Sequence, residues 1–293
     1  MRKNYYLVTT PLQYCNAINI STEGINILIF LSDFEGANTL FDRIRNSTYW
    51  DSTYSFSTYN QAFEFINRNV SIEDYLYIDS DYGMRTALKL RKIKTKEIFV
   101  YEEGTGTYRS DLISATHPNK ILVMLLKFFG VSEYFGGSRF VKGLYMYDVA
   151  KHEKLVPDFH KTRLRFRRSF LDNLELIKMD LISKEQRDFY KKLVAGRDVH
   201  LYLTNWNYNI KIDKILTDNR NEMKNENALY LLKPHPRLIN SEFEFVYDSI
   251  LSNSALVEIL LIDFKKFSKS LTVYHEGSSA LLYLTDINQK RID

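Results

Sequence analysis

Leu231-Leu232-Lys233-Pro234-His235-Pro236-Arg237 is an apolar strand running into a histidine held between two prolines. Each proline fixes its own φ and pushes the residue before it toward extended geometry. The imidazole is therefore presented by a stiff backbone at the carboxyl end of a strand. Lys233 and Arg237 put positive charge on both sides of it, which suits an anion such as a phosphate. The competing reading is a surface turn carrying a solvated histidine, or an Arg237 that only holds the turn.

Outward from this stretch, strand-like runs recur with helical stretches between them. They fall at 5–9, 25–31, 75–78 and 97–101 in the first half, and at 199–204, 229–233, 256–262 and 271–274 in the second. Alternating strands and helices predict parallel sheets with right-handed crossovers, and ligands at the carboxyl ends of the strands. A chain of 293 residues is long enough for two domains of ordinary size. Residues 149–160, with Pro157, read as a connector, and 163–193 as a long charged helix after it. The expected domains are 1–155 and 156–293.

Two further motifs fall at strand ends. Tyr101-Glu102-Glu103-Gly104 puts two adjacent carboxylates and a glycine after the strand at 97–101. Val273-Tyr274-His275-Glu276-Gly277-Ser278-Ser279-Ala280-Leu281 reads as strand, glycine turn and helix start, with paired hydroxyls and backbone N–H groups for an anion. An ordinary helix N-cap fits the serines equally well. The order of acidic pair plus glycine, His-Pro and Ser-Ser resembles the bacterial sialyltransferases of glycosyltransferase family 52, which make lipooligosaccharide and capsule. Tyr6-Leu7-Val8-Thr9-Thr10-Pro11-Leu12-Gln13 is similar to that family's first strand and turn.

The resemblance implies a GT-B fold: α/β, two Rossmann-like domains with mainly parallel sheets, and an interdomain cleft. It implies an inverting sialyltransferase that moves sialic acid from CMP-sialic acid to a galactose-type hydroxyl of a bacterial surface glycan, which can be lipid-linked. His235 would neutralise the departing phosphate. Lys233, Arg237, Gly277, Ser278, Ser279, Thr204 and Asn205 would hold the donor, and Glu102, Gly104 and Gln13 would lie on the acceptor side. The family's base is an aspartate shortly before the His-Pro motif. Asp213, 22 residues before His235, matches it, with Glu103 as the alternative. Asp79-Ser80-Asp81 also has the Asp-x-Asp form of metal-dependent transferases, but the resemblance implies no metal and no cofactor. The alternatives are a GT-B enzyme with another donor such as UDP-glucose, or a non-catalytic glycan-assembly subunit that would lack the base.

Composition sets the remaining bounds. Net charge is +4, so nucleic acid is not demanded. Cys15 is the single cysteine, which excludes an internal disulfide and a cysteine-rich metal site. The 21 tyrosines and 19 phenylalanines suit a core as well as sugar stacking. No run approaches the ~18 apolar residues that span a bilayer. The most apolar helix candidate, 121–130, is interrupted by Lys127. The expected location is the cytoplasm, with the basic cluster at 161–168 either a solvated helix face or a peripheral contact with anionic lipid. A homodimer is compatible with all of this. The chain stops fourteen residues after Ser279, shorter than the tail usual in GT-B enzymes, which implies a compact or shortened C-terminus.

Overall fold

The computed structural model describes the chain except residues 21, 35, 118, 206–209, 224, 236–237, 239–246, 253–254 and 293. Two compact units are present: Met1–Asp33 with Ala37–Leu176, and Ile177–Asp293 with Phe34–Gly36.

The first unit opens with β1 (Lys3–Val8), α1 (Pro11–Ile18), β2 (Ile25–Leu31), α2 (Ala37–Ile44) and β3 (Ser52–Phe56). It continues through α3 (Tyr59–Asn69), β4 (Tyr75–Ile78), α4 (Met84–Leu90) and β5 (Glu97–Tyr101). A 3-10 turn at Thr105–Tyr108 leads to α5 (Leu112–Thr116), α6 (Lys120–Phe128), β6 (Gly143–Met146), α7 (Val149–Leu155) and β7 (Thr162–Arg165). The seven strands are parallel in the order β3-β2-β1-β4-β5-β6-β7.

Both faces of the central strands are covered, which is why they read as continuous apolar runs. One face packs Tyr5, Leu7, Ile29, Leu76, Ile78, Ile98 and Val100 against Phe63 and Ile66 of α3. The other carries an aromatic ladder. Tyr6, Tyr77, Phe99 and Tyr145 follow one another with centroids 4.6, 5.6 and 5.9 Å apart, and Phe166 continues it at 5.8 Å. Much of the aromatic content is thus core.

Helix α8 (Phe170–Leu181) carries the division between the units. Then come α9 (Lys184–Val194), β8 (Asp198–Leu203), α10 (Ile210–Met223), β9 (Ala228–Lys233), β10 (Ser249–Ile250), α11 (Val257–Phe267) and β11 (Ser270–His275). A 3-10 turn at Ser279–Leu281 and β12 (Asn288–Arg291) complete the second unit. Its five strands are parallel in the order β10-β9-β8-β11-β12. Each unit therefore repeats one winding: the first strand lies inside, the next two step outward on one side, and the fourth begins the other. That is the doubly wound, Rossmann-like order, whose switch points fall between β1 and β4 and between β8 and β11.

Three expectations change. Residues 256–262, read as a strand, lie largely in helix α11: Ile259, Leu260, Leu261 and Phe264 are buried, and an all-round apolar helix has the same pattern as a covered strand. The long helix expected at 163–193 is β7, α8 and α9, with Ser183 accepting from the Gln186 N–H to start α9. The division consequently falls inside α8 and not in the 149–160 connector, because β7 pairs with β6 and completes the first sheet.

Candidate functional site

In the second unit β9, β8 and β11 are neighbours, so three distant motifs leave one sheet edge side by side. Leu203 pairs with Lys233 on one side and with His275 on the other. At ~4.8 Å per strand, the ends of β9 and β11 stand ~10 Å apart. Thr204 latches the His-Pro segment. The His235 N–H donates to Thr204 Oγ1 at 2.7 Å, and the Thr204 N–H donates to the Lys233 carbonyl at 3.2 Å. His235 is half-buried and Asn205 exposed. Arg237 lies outside the described residues.

Lys233 is buried, and its Nζ donates to the Pro234 carbonyl at 3.0 Å, so the expected phosphate cation is partly committed to its own turn. The lysine also acts on a residue that sequence reasoning missed. Glu258, in the first turn of α11, is 5% exposed, and its Oε2 has no hydrogen-bond partner among the described residues. Burial pushes its carboxyl up to about 7, while the charge of Lys233 pulls the other way. A lone carboxylate inside an apolar run was the available signal, since burying one without a partner is costly.

The Ser-Ser segment differs from its expected form. The Gly277 and Ser278 N–H groups are not left for an anion; both donate to His275 Nδ1, at 3.0 and 3.1 Å. Burial and the nearby Arg291 lower the His275 pKa, consistent with an unprotonated Nδ1. Ser278 Oγ accepts from the Ala280 N–H and caps a 3-10 turn of three residues, too short for a helix dipole. The hydroxyls of the half-buried Ser278 and Ser279 are what this segment offers a phosphate.

Asp213 stands in the first turn of α10, just past the carboxyl end of β8. It is 4% exposed, and the Tyr247 hydroxyl donates to its Oδ1 at 3.0 Å. The carboxylate is thus oriented and desolvated, not solvated as an ordinary surface acid would be.

In the first unit the acidic pair splits. Glu102 is buried and accepts from the Tyr108 hydroxyl and the Tyr147 N–H, both at 2.9 Å, so it braces the strand end. Glu103 is exposed, and its N–H donates to Thr107 Oγ1 at 3.0 Å. Gly104 permits this exit with φ 112°, a left-handed angle that side chains resist. Gln13 is buried and accepts from the Thr9 N–H at 2.8 Å and from Thr9 Oγ1 at 2.6 Å.

Asp79 and Asp81 serve separate networks. Asp81 accepts from the Gly136 and Ser138 N–H groups, each at 2.8 Å, while Asp79 accepts from Thr9 Oγ1 and the Tyr59 hydroxyl. Burial raises each carboxyl to about 6 against the pull of these donors. The basic cluster at 161–168 is also partly spent. Arg163 donates to His152 Nδ1 and to the carbonyls of Phe159 and Val156.

No family model matches the sequence, and comparison with curated proteins returns no match. Among solved structures the chain is similar to UDP-N-acetylglucosamine 2-epimerase from Rickettsia bellii. The TM-score is 0.57 at 12% identity, over 100% of this chain and 79% of that one. It is similar to the alpha/beta-galactoside alpha-2,3-sialyltransferase of Photobacterium phosphoreum, with TM-score 0.55, 11% identity and coverages of 99% and 90%. A trehalose 6-phosphate synthase from Burkholderia multivorans gives TM-score 0.50, 10% identity and coverages of 99% and 86%. At such identities the likeness establishes the fold, two Rossmann-like units of the GT-B type.

Proposed function

We propose that the protein is a glycosyltransferase that moves sialic acid from CMP-sialic acid to a galactose-type hydroxyl of a bacterial surface glycan. The observation that carries this is the meeting of Thr204, Lys233, His235, Ser278 and Ser279 at one sheet edge, beside the switch point of β8 and β11. A phosphate bound there would meet the imidazole of His235 and two serine hydroxyls. Glu258 adds a buried carboxylate suited to hydroxyl donors such as those of a ribose.

The transfer would be a single displacement. The acceptor oxygen bonds to the anomeric carbon of sialic acid as the bond from that carbon to the CMP phosphate breaks. Asp213, oriented by Tyr247, takes the proton of the acceptor hydroxyl. His235, as imidazolium, donates to the leaving phosphate oxygen, and CMP departs. Glu103 would contact the acceptor. We favour Asp213 as base because it and His235 belong to one unit and follow neighbouring strands, so their separation is held by a rigid sheet.

A second reading is a UDP-sugar enzyme, since the likeness to a UDP-N-acetylglucosamine 2-epimerase is as close as that to the sialyltransferase. Incubation with a panel of nucleotide sugars separates the two. Release of CMP from CMP-sialic acid, dependent on a galactose-terminated acceptor, supports sialyl transfer. Turnover of UDP-sugars alone replaces it with the second reading.

A further inference from the structure

One helix turns its apolar side outward. α6 reads Lys-Ile-Leu-Val-Met-Leu-Leu-Lys-Phe from Lys120 to Phe128. Its inner side, Leu126 with Val123, packs on Ala87, Ile113 and Val131. Its outer side shows Ile121, Met124, Leu125 and Phe128 at 67%, 64%, 47% and 73% exposure. These positions, spaced i, i+3, i+4 and i+7, form one stripe, which Leu122 widens. A contiguous apolar patch of this kind marks a contact surface.

The surrounding charge identifies the contact. Lys120 and Lys127 stand near the two ends of the helix, and Arg139 Nε lies 3.0 Å from where a Cβ on Gly130 would stand, just past Phe128. Between residues 109 and 142 the chain has only two acids, Asp111 and Glu133. Both are occupied: Asp111 pairs with Arg109 at 2.9 Å, and Glu133 pairs with Lys127 at 3.1 Å while accepting from two backbone N–H groups. The stripe therefore has a cationic rim. A second copy across a two-fold axis would bring like charges together. A nine-residue helix, about 14 Å long, also offers only a few hundred Å², well short of the ~800 Å² per partner of a stable dimer. That length is less than half of the ~30 Å hydrocarbon core, so the helix fits along a bilayer interface and not across it.

We propose that α6 is a membrane-docking helix. It seats Ile121, Met124, Leu125 and Phe128 in the interface of a bilayer containing anionic phospholipid, with Lys120 and Arg139 among the headgroups and Lys127 held by Glu133 beside them. This goes beyond the transfer reading and does not rest on it, because none of these residues is assigned to the chemistry.

Co-sedimentation with phosphatidylcholine vesicles, with and without phosphatidylglycerol, tests it. The full chain should bind the phosphatidylglycerol vesicles and release as salt rises. Met124→Ser with Phe128→Ser should weaken binding at least about tenfold, as expected for withdrawing large apolar side chains from the interface. Lys120→Gln with Arg139→Gln should remove the preference for phosphatidylglycerol. All four positions are exposed, so melting temperatures close to that of the parent chain would show that folding is intact. Three results overturn the proposal: a parent chain indifferent to phosphatidylglycerol, unchanged binding by the Met124/Phe128 variant, or a concentration-dependent dimer abolished by those same two substitutions.

Discussion

Glu258→Gln should stabilise the second unit at neutral and alkaline pH, although it removes a charge beside Lys233. Burial raises the folded-state carboxyl to about 7 from an ordinary 4.5. Between these values the native state holds more protons than the unfolded state, so stability falls as pH rises through that window. A shift of about 2.5 units at 1.36 kcal/mol per unit gives a penalty of about 3 kcal/mol above pH ~7, and about 1 kcal/mol at pH ~5. Glutamine keeps the shape and has no proton to lose, so it escapes the penalty. Urea unfolding at pH ~8 and pH ~5 measures both differences. The variant should be the more stable one by about 3 kcal/mol at the higher pH and by only about 1 kcal/mol at the lower. A variant less stable at pH ~8 would refute the reasoning, because it would mean that Glu258 is an ionised and well-compensated partner of Lys233.

Asp213→Asn should lose on the order of 10²–10⁴ in kcat while CMP binding, measured by calorimetry, persists; Glu103→Gln should act mainly on the acceptor KM. The reverse pattern would put the base on the first unit. Asp81→Ala should cost about 2–4 kcal/mol, because it leaves the Gly136 and Ser138 N–H groups buried without an acceptor, and added Mn²⁺ should not restore the melting temperature. Turnover should persist in EDTA, since cationic side chains and hydroxyls carry the leaving phosphate in this reading; loss that Mn²⁺ restores would return the Asp79-Ser80-Asp81 motif to consideration as a metal site.

Most of the central strands were legible because a parallel strand covered on both faces must be apolar at nearly every position, as Tyr5 to Val8 and Leu229 to Leu232 are; the interior strand β6, only four residues long and opening on Gly143, was missed. The edges were not. β3, β7 and β12 present Ser-Thr-Tyr-Ser-Phe, Thr-Arg-Leu-Arg and Asn-Gln-Lys-Arg, whose polar side chains suit solvent and carry no strand periodicity strong enough to read. α11 failed for the opposite reason, since its apolar run fits a covered strand and a covered helix equally. At the site, the position of His235 at the end of β9 followed from the two prolines. Which of Glu102 and Glu103 turns inward did not, because that depends on the exit angle at Gly104 and on Tyr108 and Tyr147 arriving from elsewhere. The capture of the Gly277 and Ser278 N–H groups by His275 was likewise a matter of backbone closure, invisible in residue types alone.

The ladder of rings through the first sheet also has an optical consequence. Trp50 sits edge-on to Tyr6 at 5.1 Å, and Tyr6 stacks on Tyr77, so light absorbed by the tyrosines passes to a single indole at the end of the row. Tyrosine excitation that emerges as Trp50 emission is therefore strongest in the assembled sheet and weakens when the strands separate, leaving the share that Tyr49, its neighbour in the chain, still supplies. In a chain whose other tryptophan, Trp206, is replaced by phenylalanine, changing Trp50 to phenylalanine as well would return that emission to the tyrosines while leaving the row of rings in place, which turns one side chain into a gauge of whether the first unit has folded.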